Sequence, residues 1–206
     1  IVFHRMRLFR LLDKSQARRL IWITAPAGAG KTTLVASYLK SKRVPVLWYR
    51  LDESDADPSS FFSFLSVAAR SLAPRFKRPL PVLTPEYALG LQTFARRYFQ
   101  ALGARLPRRC RIVLDNYQDI PAQAGLHQLL ACGVYELPDG ISVVVMSRQG
   151  PCSPMARLLA EQMIASIGPD PLRLSRAETL GVARLHLKSQ KQRMARSRID
   201  ELHNKA

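Results

Sequence analysis

The sequence predicts an α/β fold in which a mainly parallel β-sheet is covered by helices on both faces, and three observations support this. Short apolar, β-branched runs alternate with longer segments of helical periodicity, as in chains built from strand–helix–strand units. One of these runs, residues 141–147, is almost wholly apolar, which is typical of a strand inside a parallel sheet. The length of 206 residues, 47% of them hydrophobic, suits one globular domain with room for a small appendage.

The first strand is predicted at residues 19–24 and the helix after it at residues 31–40. Apolar side chains fall on one face of this helix, namely Leu34, Val35, Tyr38 and Leu39. A second strand is predicted at residues 44–51. Pro45 is tolerated there only at the beginning of the strand or on an edge of the sheet, because proline has no N–H group for the ladder.

A second helix is predicted to begin at Asp57 and Pro58, because aspartate is a good N-cap and proline suits the first helical position. Its apolar positions repeat at helical spacing: Phe61, Leu65, Ala68 and Leu72. Four prolines predict a surface loop over residues 74–85. Another helix is predicted from residues 84–85 onward, with a buried stripe of Leu91, Phe94, Tyr98 and Leu102. Adjacent aromatic residues in these helices fit core packing better than base stacking: Phe61 with Phe62, and Tyr98 with Phe99.

Three further strands are predicted at residues 111–115, 141–147 and 171–174. The segment from Ser175 to Glu178 has the pattern of a capping box and predicts a helix that ends at about Leu187. A last helix is predicted at residues 193–203.

The chain is strongly basic, with 32 Lys and Arg against 15 Asp and Glu, a formal net charge of +17. The excess occurs in both halves of the chain, so a single basic tail does not explain it. Such a charge attracts polyanions, but it describes association rather than fold. A generally basic surface explains it at least as well as a dedicated nucleic-acid surface.

Composition argues against several classes of protein. The three cysteines have no CxxC spacing and the four histidines form no cluster, which argues against a disulfide framework or a zinc site. No uncharged apolar run approaches the roughly 20 residues that span a bilayer, and no secretory signal is visible. We therefore expect a soluble, cytoplasmic protein with no membrane partner. Because the first residue is isoleucine, we also expect a fragment of a longer protein.

Residues 25–32, APAGAGKT, follow a predicted strand and open a helix, which is the context that a phosphate-binding loop requires. The form is GxxxxGK[ST], with Ala25 in place of the first glycine. Glycines let backbone N–H groups curl around a β-phosphate, and the helix N-terminus adds partial positive charge. Lys31 would reach the β- and γ-phosphates, and the Thr32 hydroxyl would ligate Mg²⁺. We expect the nucleotide to be bound by Ala27, Gly28, Ala29, Gly30, Lys31, Thr32 and Thr33. Glycine-rich turns of this kind also occur without a ligand.

Asp115 ends an apolar strand, the place of the acid that holds Mg²⁺ through water beside the phosphates. A lone aspartate at a strand end can also be a turn residue. The next residue, Asn116, occupies the position where many ATPases of this kind place an acid that polarises the attacking water. An amide cannot accept that proton, so either Asp119 serves as the nearest candidate base or hydrolysis is slow.

Arg148 directly follows the fourth predicted strand. Ligands of doubly wound sheets lie beyond the carboxyl ends of the strands, so this guanidinium would point toward a γ-phosphate and stabilise its charge. Pairing with a loop carboxylate is an equal alternative. Four acids lie close together after the second strand, Asp52, Glu53, Asp55 and Asp57. We expect Asp57 to cap a helix and the other three to be solvated loop charges.

Taken together, four segments resemble the nucleotide-binding domain of MalT-like regulators, which belong to the STAND class of signal-transduction P-loop ATPases. They are residues 23–34, residues 48–53 leading to 57–58, residues 113–118 and residues 146–148. Alanine at position 25 and the Ser-Arg pair at 147–148 are usual in this family. Asn116 departs from the family's pair of aspartates, which puts the catalytic base in doubt.

The resemblance implies a P-loop NTPase three-layer sandwich with strand order 5-1-4-3-2 and a C-terminal helical extension. It implies a nucleotide-binding domain at residues 1–174 and, at residues 175–206, the start of a helical or winged-helix region that clasps the nucleotide. By the same likeness, ATP with Mg²⁺ switches a signal-responsive transcription regulator between a closed ADP state and a self-associating ATP state, with slow hydrolysis. DNA would be bound by a C-terminal domain beyond this chain.

Catalytic roles then fall to Lys31, Asp115, Asn116 and Arg148, and metal-binding roles to Thr32 and Asp115. A small-molecule P-loop kinase is the main alternative function, with Asp52 holding the acceptor hydroxyl. The wide gap between Lys31 and Asp115 and the lack of an obvious arginine-rich lid argue against it. A DNA-bound ATPase is a further alternative, which rests on net charge.

Overall fold

The computed structural model describes residues 2–72, 78–87 and 89–187. These residues form a five-stranded sheet in which every neighbouring pair of strands is parallel. The strands are β1 (Leu20–Thr24), β2 (Val46–Arg50), β3 (Arg111–Asp115), β4 (Ser142–Ser147) and β5 (Ile164–Ile167). Their spatial order is β2-β3-β4-β1-β5, which is the implied order 5-1-4-3-2 viewed from the opposite edge. The predicted fold class is confirmed.

Helices connect the strands and cover the sheet. They are α1 (Met6–Ser15), α2 (Lys31–Lys42), α3 (Pro58–Leu72), α4 (Leu91–Arg105), α5 (Leu126–Glu136), α6 (Ala156–Ala160), α7 (Pro169–Leu172) and α8 (residues 176–187). Short 3-10 turns lie at Glu53–Ala56, Pro85–Tyr87, Tyr117–Asp119 and Ser153–Met155.

Two hydrophobic layers enclose the sheet because successive side chains of a strand point to opposite faces. In β1, Ile21 and Ile23 belong to a core shared with α1 and α2. Leu20 and Trp22 belong to the larger core on the other face, which includes α3, α4 and α5. Every residue of β4 is buried, which explains why that strand is the most apolar run of the sequence.

Aromatic rings form the centre of the larger core. The ring centroid of Phe62 lies 4.9 Å from that of Phe94 and 4.6 Å from that of Tyr98. The Tyr98 hydroxyl lies 2.8 Å from Ser66 Oγ, so its polar atom is satisfied although the ring is fully buried. The prediction that these aromatic residues serve packing is confirmed.

The predicted fifth strand at residues 171–174 is wrong, since β5 is Ile164–Ile167 and residues 169–172 form the short helix α7. Pro169 occupies the first position of that helix, where a missing N–H group does no harm, whereas prolines weaken a ladder. The true strand was hard to recognise because it has four residues and pairs only with β1 among the described strands.

The predicted start of α4 at residues 84–85 is also wrong. Residues Pro85–Tyr87 form an isolated 3-10 turn, and α4 begins at Leu91 after Gly90, whose φ of −139° and ψ of 32° are not helical. Three of the described helices, α1, α5 and the short α6, have no counterpart among the predicted elements. In α1 the buried Leu8, Phe9 and Leu12 do have helical spacing.

The structure confirms two predicted helix caps and corrects the predicted environment of one acid. The Ser60 N–H donates to Asp57 Oδ2 at 2.9 Å, so Asp57 caps α3 as predicted. Ser175 and Glu178 form the predicted capping box. Asp55, expected to be solvated, is only 1% exposed and accepts a hydrogen bond from the Tyr49 hydroxyl at 2.5 Å. The predicted helix at residues 193–203 lies outside the described residues.

Among the helices that the structure describes, none has both the length and the apolar character needed to cross a membrane.

Candidate functional site

The loop between β1 and α2 has the backbone of an anion-binding turn. Gly28 and Gly30 adopt φ values of 77° and 83°, in the left-handed region that favours glycine. Gly30 is the N-cap of α2, and no side chain caps this helix. The first N–H groups of α2 therefore face the loop as free donors, aligned with the positive end of the helix dipole.

Lys31, the first residue of α2, folds back across this loop. Its Nζ donates to the carbonyl oxygens of Ala25 at 2.6 Å and Pro26 at 3.1 Å. Burial lowers the pKa of Lys31, the positive charge of Arg148 lowers it further, and the carboxylate of Asp115 raises it. Both of these charged groups are therefore near enough to act on the ammonium.

Thr32 and Asp115 meet at the end of β3. The Thr32 hydroxyl donates to Asp115 Oδ2 at 3.1 Å and lies 3.5 Å from Oδ1. Asp115 is 7% exposed, and its Oδ1 also accepts the Asn116 N–H at 3.0 Å. A hydroxyl and a carboxylate are the oxygen ligands that Mg²⁺ prefers, and 83 positions of sequence separate them. The fold thus brings together the two residues predicted to bind the metal.

The side chain of Asn116 contacts Arg50, an arginine for which the sequence suggested no role. Asn116 lies in the left-handed region at φ 61°. In the amide orientation that satisfies both groups, its side-chain oxygen accepts from Arg50 Nε at 3.0 Å and Nη2 at 3.3 Å. Arg50 ends β2 and pairs in register with Asp115, so strand order alone brings these groups together. The Asn116 oxygen is therefore already hydrogen-bonded to the positively charged Arg50 guanidinium.

Arg148 follows β4 at the same edge of the sheet. Its N–H donates to Gln118 Oε1 at 3.1 Å, and Gln118 Nε2 donates to Asp119 Oδ1 at 3.0 Å. The guanidinium is exposed and contacts no carboxylate within the described residues, so the alternative of a loop ion pair finds no support. Asp119 is exposed on the 3-10 turn after Asn116.

A cavity of about 710 Å³ opens beside the loop. It lies between the phosphate loop, the N-terminal segment, α7 and α8. Its apolar lining comes from Val2, Phe3, Pro26, Leu34, Pro169, Leu172, Leu174, Val182 and Leu185. This volume is in the range of small-molecule sites, and an apolar cavity next to a phosphate-binding loop suits a nucleobase.

Glu178 connects α8, which forms one wall of this cavity, to the N-terminal segment. Its Oε2 accepts from Arg5 Nη2 at 3.1 Å, Arg7 Nη2 at 3.3 Å and the Ser175 N–H at 2.9 Å. Burial raises the pKa of Glu178, but the hydrogen bonds from Ser175, Arg5 and Arg7 outweigh it and hold the pKa below its ordinary value. The start of α8 and the start of the chain are thus joined through one carboxylate.

A family model described as "Nephrocystin 3, N-terminal" matches residues 2–148 of the chain. The chain belongs to this family. The match begins at Val2, which lines the cavity, and ends at Arg148. It therefore covers the phosphate loop and every residue predicted to bind metal or phosphate.

Curated relatives of this nephrocystin-3 N-terminal family member include HTH-type transcriptional regulators named MalT. That of Cronobacter sakazakii is 31% identical over 176 residues, which are 84% of this chain and 19% of the relative. That of Vibrio cholerae is 29% identical over 180 residues, 85% of this chain and 19% of the relative. The resemblance to MalT-like regulators is confirmed, and the chain spans about a fifth of the length of these proteins.

Solved structures support the same fold. The Walker-type ATPase of Pyrococcus abyssi matches with a TM-score of 0.57 at 15% identity, over 92% of this chain and 59% of that one. The Aeropyrum pernix ORC1 protein, solved in complex with DNA, matches with a TM-score of 0.50 at 16% identity, over 92% and 50%. This family member is therefore a MalT-like domain with a P-loop ATPase fold.

Sequence reasoning missed three groups at this site. Arg50 and Gln118 lie within segments that carry the family resemblance, but no sequence feature indicated a role for either; the order of the sheet places Arg50 beside Asn116 and Gln118 beside Arg148. The third group is a buried pair behind the loop after β3, in which the Tyr117 hydroxyl lies 2.8 Å from His127 Nδ1. His127 looked isolated in the sequence because α5, which carries it, was not predicted.

Proposed function

We propose that this chain is the ATP-binding switch module of a signal-responsive transcription regulator, with Mg²⁺ as its cofactor. The observation that carries the proposal is the contact between Thr32 and Asp115 beside a glycine-rich loop across which Lys31 folds. The MalT relatives, whose names describe transcriptional regulators, support the regulatory part.

Phosphate binding falls to residues 27–33. Their backbone N–H groups would hold the β- and γ-phosphates, and the Lys31 ammonium would move from the loop carbonyls to the phosphate oxygens. Thr32 and Asp115 would hold Mg²⁺, which when bound neutralises charge on the phosphate oxygens. Arg148 would respond to the γ-phosphate, since its guanidinium is free of carboxylates among the described residues.

Slow hydrolysis follows from the residues after Asp115. The Asn116 oxygen accepts from Arg50, and an amide is too weak a base to deprotonate an attacking water. Asp119 is exposed and bonded to Gln118 rather than aimed at the loop. A site that binds ATP well and cleaves it slowly suits a switch better than a metabolic enzyme. For the same reason we favour the switch function over the function of a small-molecule kinase.

The cavity beside the loop would take the adenine base, and its walls suggest how binding is transmitted. Val182 and Leu185 belong to α8, so base binding contacts both the body at residues 1–174 and the region that begins at residue 175. We propose that residues 175–206 begin a separate helical region that follows the nucleotide state. Self-association in the ATP state, DNA binding through a further domain and a cytoplasmic location belong to the same proposal.

Hydrogen exchange of α8 tests the switch. With Mg²⁺ present, ATP and ADP should protect the amides of residues 176–187 to different extents. Arg148→Ala should remove most of that difference, whereas Arg96→Ala, at an exposed arginine on α4, should preserve it. Identical protection with ATP and ADP in the wild-type chain would contradict the proposal. If the chain forms ADP from ATP when no acceptor molecule is added, water is the acceptor and the chain is an ATPase. If ADP forms only with an added acceptor, the kinase alternative is favoured.

A further inference from the structure

A band of basic residues lies at the amino ends of the strands, on the side of the sheet opposite to the phosphate loop. Because all the strands are parallel, the residues that precede them share one edge. Arg18 and Arg19 precede β1, Arg43 precedes β2, and Arg108 and Arg109 precede β3. We call these five arginines the amino-edge surface.

Backbone contacts show that these arginines form a continuous row. The Arg111 N–H donates to the Pro45 oxygen at 2.9 Å, which joins the approaches to β2 and β3. The Arg109 nitrogen lies 3.7 Å from the position that a Cβ on Gly140 would occupy, and the Arg19 oxygen accepts the Val143 N–H at 2.9 Å. The row thus runs from β2 across β3 and β4 to β1, about 14 Å at the usual spacing of strands.

Most of this charge is not neutralised within the described residues. Arg43, Arg108 and Arg109 are exposed and form no ion pair there. Of the nearby acids, Asp139 pairs with Arg19 at 3.1 Å, and Asp13 pairs with Lys42 at 2.8 Å. The remaining cations face solvent together.

Two of the arginines have left-handed backbone conformations. Arg43 has φ 52° and ends α2 as its C-cap, and Arg109 has φ 63°. Asparagine is tolerated in this region at least as well as arginine, so replacing either arginine by asparagine removes its charge without adding backbone strain.

We propose that the amino-edge surface binds the phosphate backbone of duplex DNA. The segments that form it, residues 16–19, 40–45 and 106–111, contain no aromatic residue on which an unpaired base could stack. They also contain none of the exposed large apolar side chains that membrane-surface binding requires. The choice of DNA as the polyanion rests on the proposed regulatory function. The contact is independent of base sequence, and its place leaves the nucleotide site free.

The test is fluorescence anisotropy of a labelled duplex of about 20 base pairs with arbitrary sequence, titrated with the 206-residue chain at several salt concentrations. Arg43→Asn with Arg109→Asn removes two charges and suits the left-handed backbone. Affinity falls with salt, and the slope of log affinity against log salt should become less steep by about 0.9 for each phosphate that an arginine no longer neutralises. This corresponds to a roughly eightfold weaker affinity per phosphate at about 0.1 M salt.

The matched control is Arg96→Gln with Arg184→Gln, which removes two exposed charges from α4 and α8 and should change the slope much less. An equal change in the control, or no duplex binding by the wild-type chain at low salt, would overturn the proposal. Binding to vesicles of anionic phospholipid without binding to the duplex would overturn it in favour of a membrane. Lys31→Ala should lose nucleotide binding but retain duplex binding, so this proposal and the proposed function fail separately.

Discussion

Asp115 and Thr32 show how one contact can define a site at the scale of single residues. Their side chains lie 3.1 Å apart because β3 ends beside the first turn of α2. The motif at residues 25–32 identifies one partner, and the strand end identifies the other. Their meeting requires the order of the sheet, which local sequence does not contain. The metal site could therefore be proposed residue by residue, but only the fold brings the two residues together.

Asp115→Asn should remove most of the Mg²⁺ dependence of ATP binding. The amide keeps the size of the side chain and its contact with Thr32, but it removes the negative charge that a divalent cation requires. The measurement is ATP affinity with and without Mg²⁺. Asp119→Asn, on the exposed turn after Asn116, is the matched control and should keep the dependence. An Asp115→Asn chain with undiminished Mg²⁺ dependence would refute the assigned role.

Residues whose role depends on distant partners were the hardest to predict. The sequence could not indicate that Asp55 is buried, because its partner Tyr49 reaches it from the preceding strand. Asn116 was recognised as unable to act as a base, but its bond to Arg50 follows only from the pairing of β2 with β3.

At the scale of elements, α8 depends on one carboxylate. Glu178→Gln should lower the free energy of unfolding by about 1 kcal/mol, since it weakens both the cap and the contacts with Arg5 and Arg7. It should also weaken nucleotide binding, because α8 forms a wall of the cavity. Urea unfolding and ATP titration measure the two effects.

Glu161→Gln is the control for this change. Glu161 also pairs with an arginine, Arg157, but on an exposed surface away from the cavity. Its replacement should leave ATP affinity unchanged. Equal effects of the two variants on ATP affinity would mean that Glu178 has no special part in the cavity wall.

The contact between α4 and α5 depends on a glycine. A Cβ at Gly133 would lie 2.2 Å from the Phe99 ring, and that ring is fully buried. Gly133→Ala should therefore lower the free energy of unfolding by about 1–3 kcal/mol through overpacking. Gly125→Ala, where φ is −62° and no atom lies within 4 Å, should be neutral or slightly stabilising in the same urea titration. Equal stability of the two variants would contradict this packing.

Elements with a strong local signal were predicted, and those without one were not. A glycine-rich turn, an N-cap and an apolar run identified β1, α2, α3 and β4. The helix α5 is buried on most sides and has no polar stripe, so its period was not recognised. The strand β5 is only four residues long, and the prediction placed it at residues 171–174, where the structure has the end of α7 and the residues after it.

The whole molecule has two poles, because parallel strands place all their carboxyl ends together and all their amino ends together. The nucleotide loop, Asp115, Arg50 and Arg148 lie at one pole, and the amino-edge surface lies at the other. The order of the sheet was available in advance only through the family resemblance. The net charge was visible in the sequence, but its gathering at one edge depends on strand direction.

The whole fold should lose stability in acid. A hydrogen bond from the Lys42 ammonium holds the pKa of Asp13 below its ordinary value, and the Ser60 N–H does the same for the pKa of Asp57. The pKa of Glu178 is also lowered. Carboxyls with lowered pKa values stabilise the fold above their unfolded pKa, and this contribution disappears as the pH falls through the folded pKa.

Urea midpoints should therefore fall as the pH is lowered from about 5 to about 3, and Glu178→Gln should reduce the size of this fall. A midpoint that rises in acid, or a fall that Glu178→Gln leaves unchanged, would contradict the assignment of these carboxylate contacts.

Calorimetric titration of the folded chain with ATP and Mg²⁺ tests directly whether the backbone of residues 27–33, with Lys31, Thr32 and Asp115, holds a magnesium-bound triphosphate. We expect saturable binding of one ATP per chain. Binding should be abolished in Lys31→Ala and kept in Lys40→Ala, an exposed lysine of the same helix. Circular dichroism would establish that both variants are folded. No binding by a folded wild-type chain, or equal binding by Lys31→Ala, would show that this loop is not the nucleotide site.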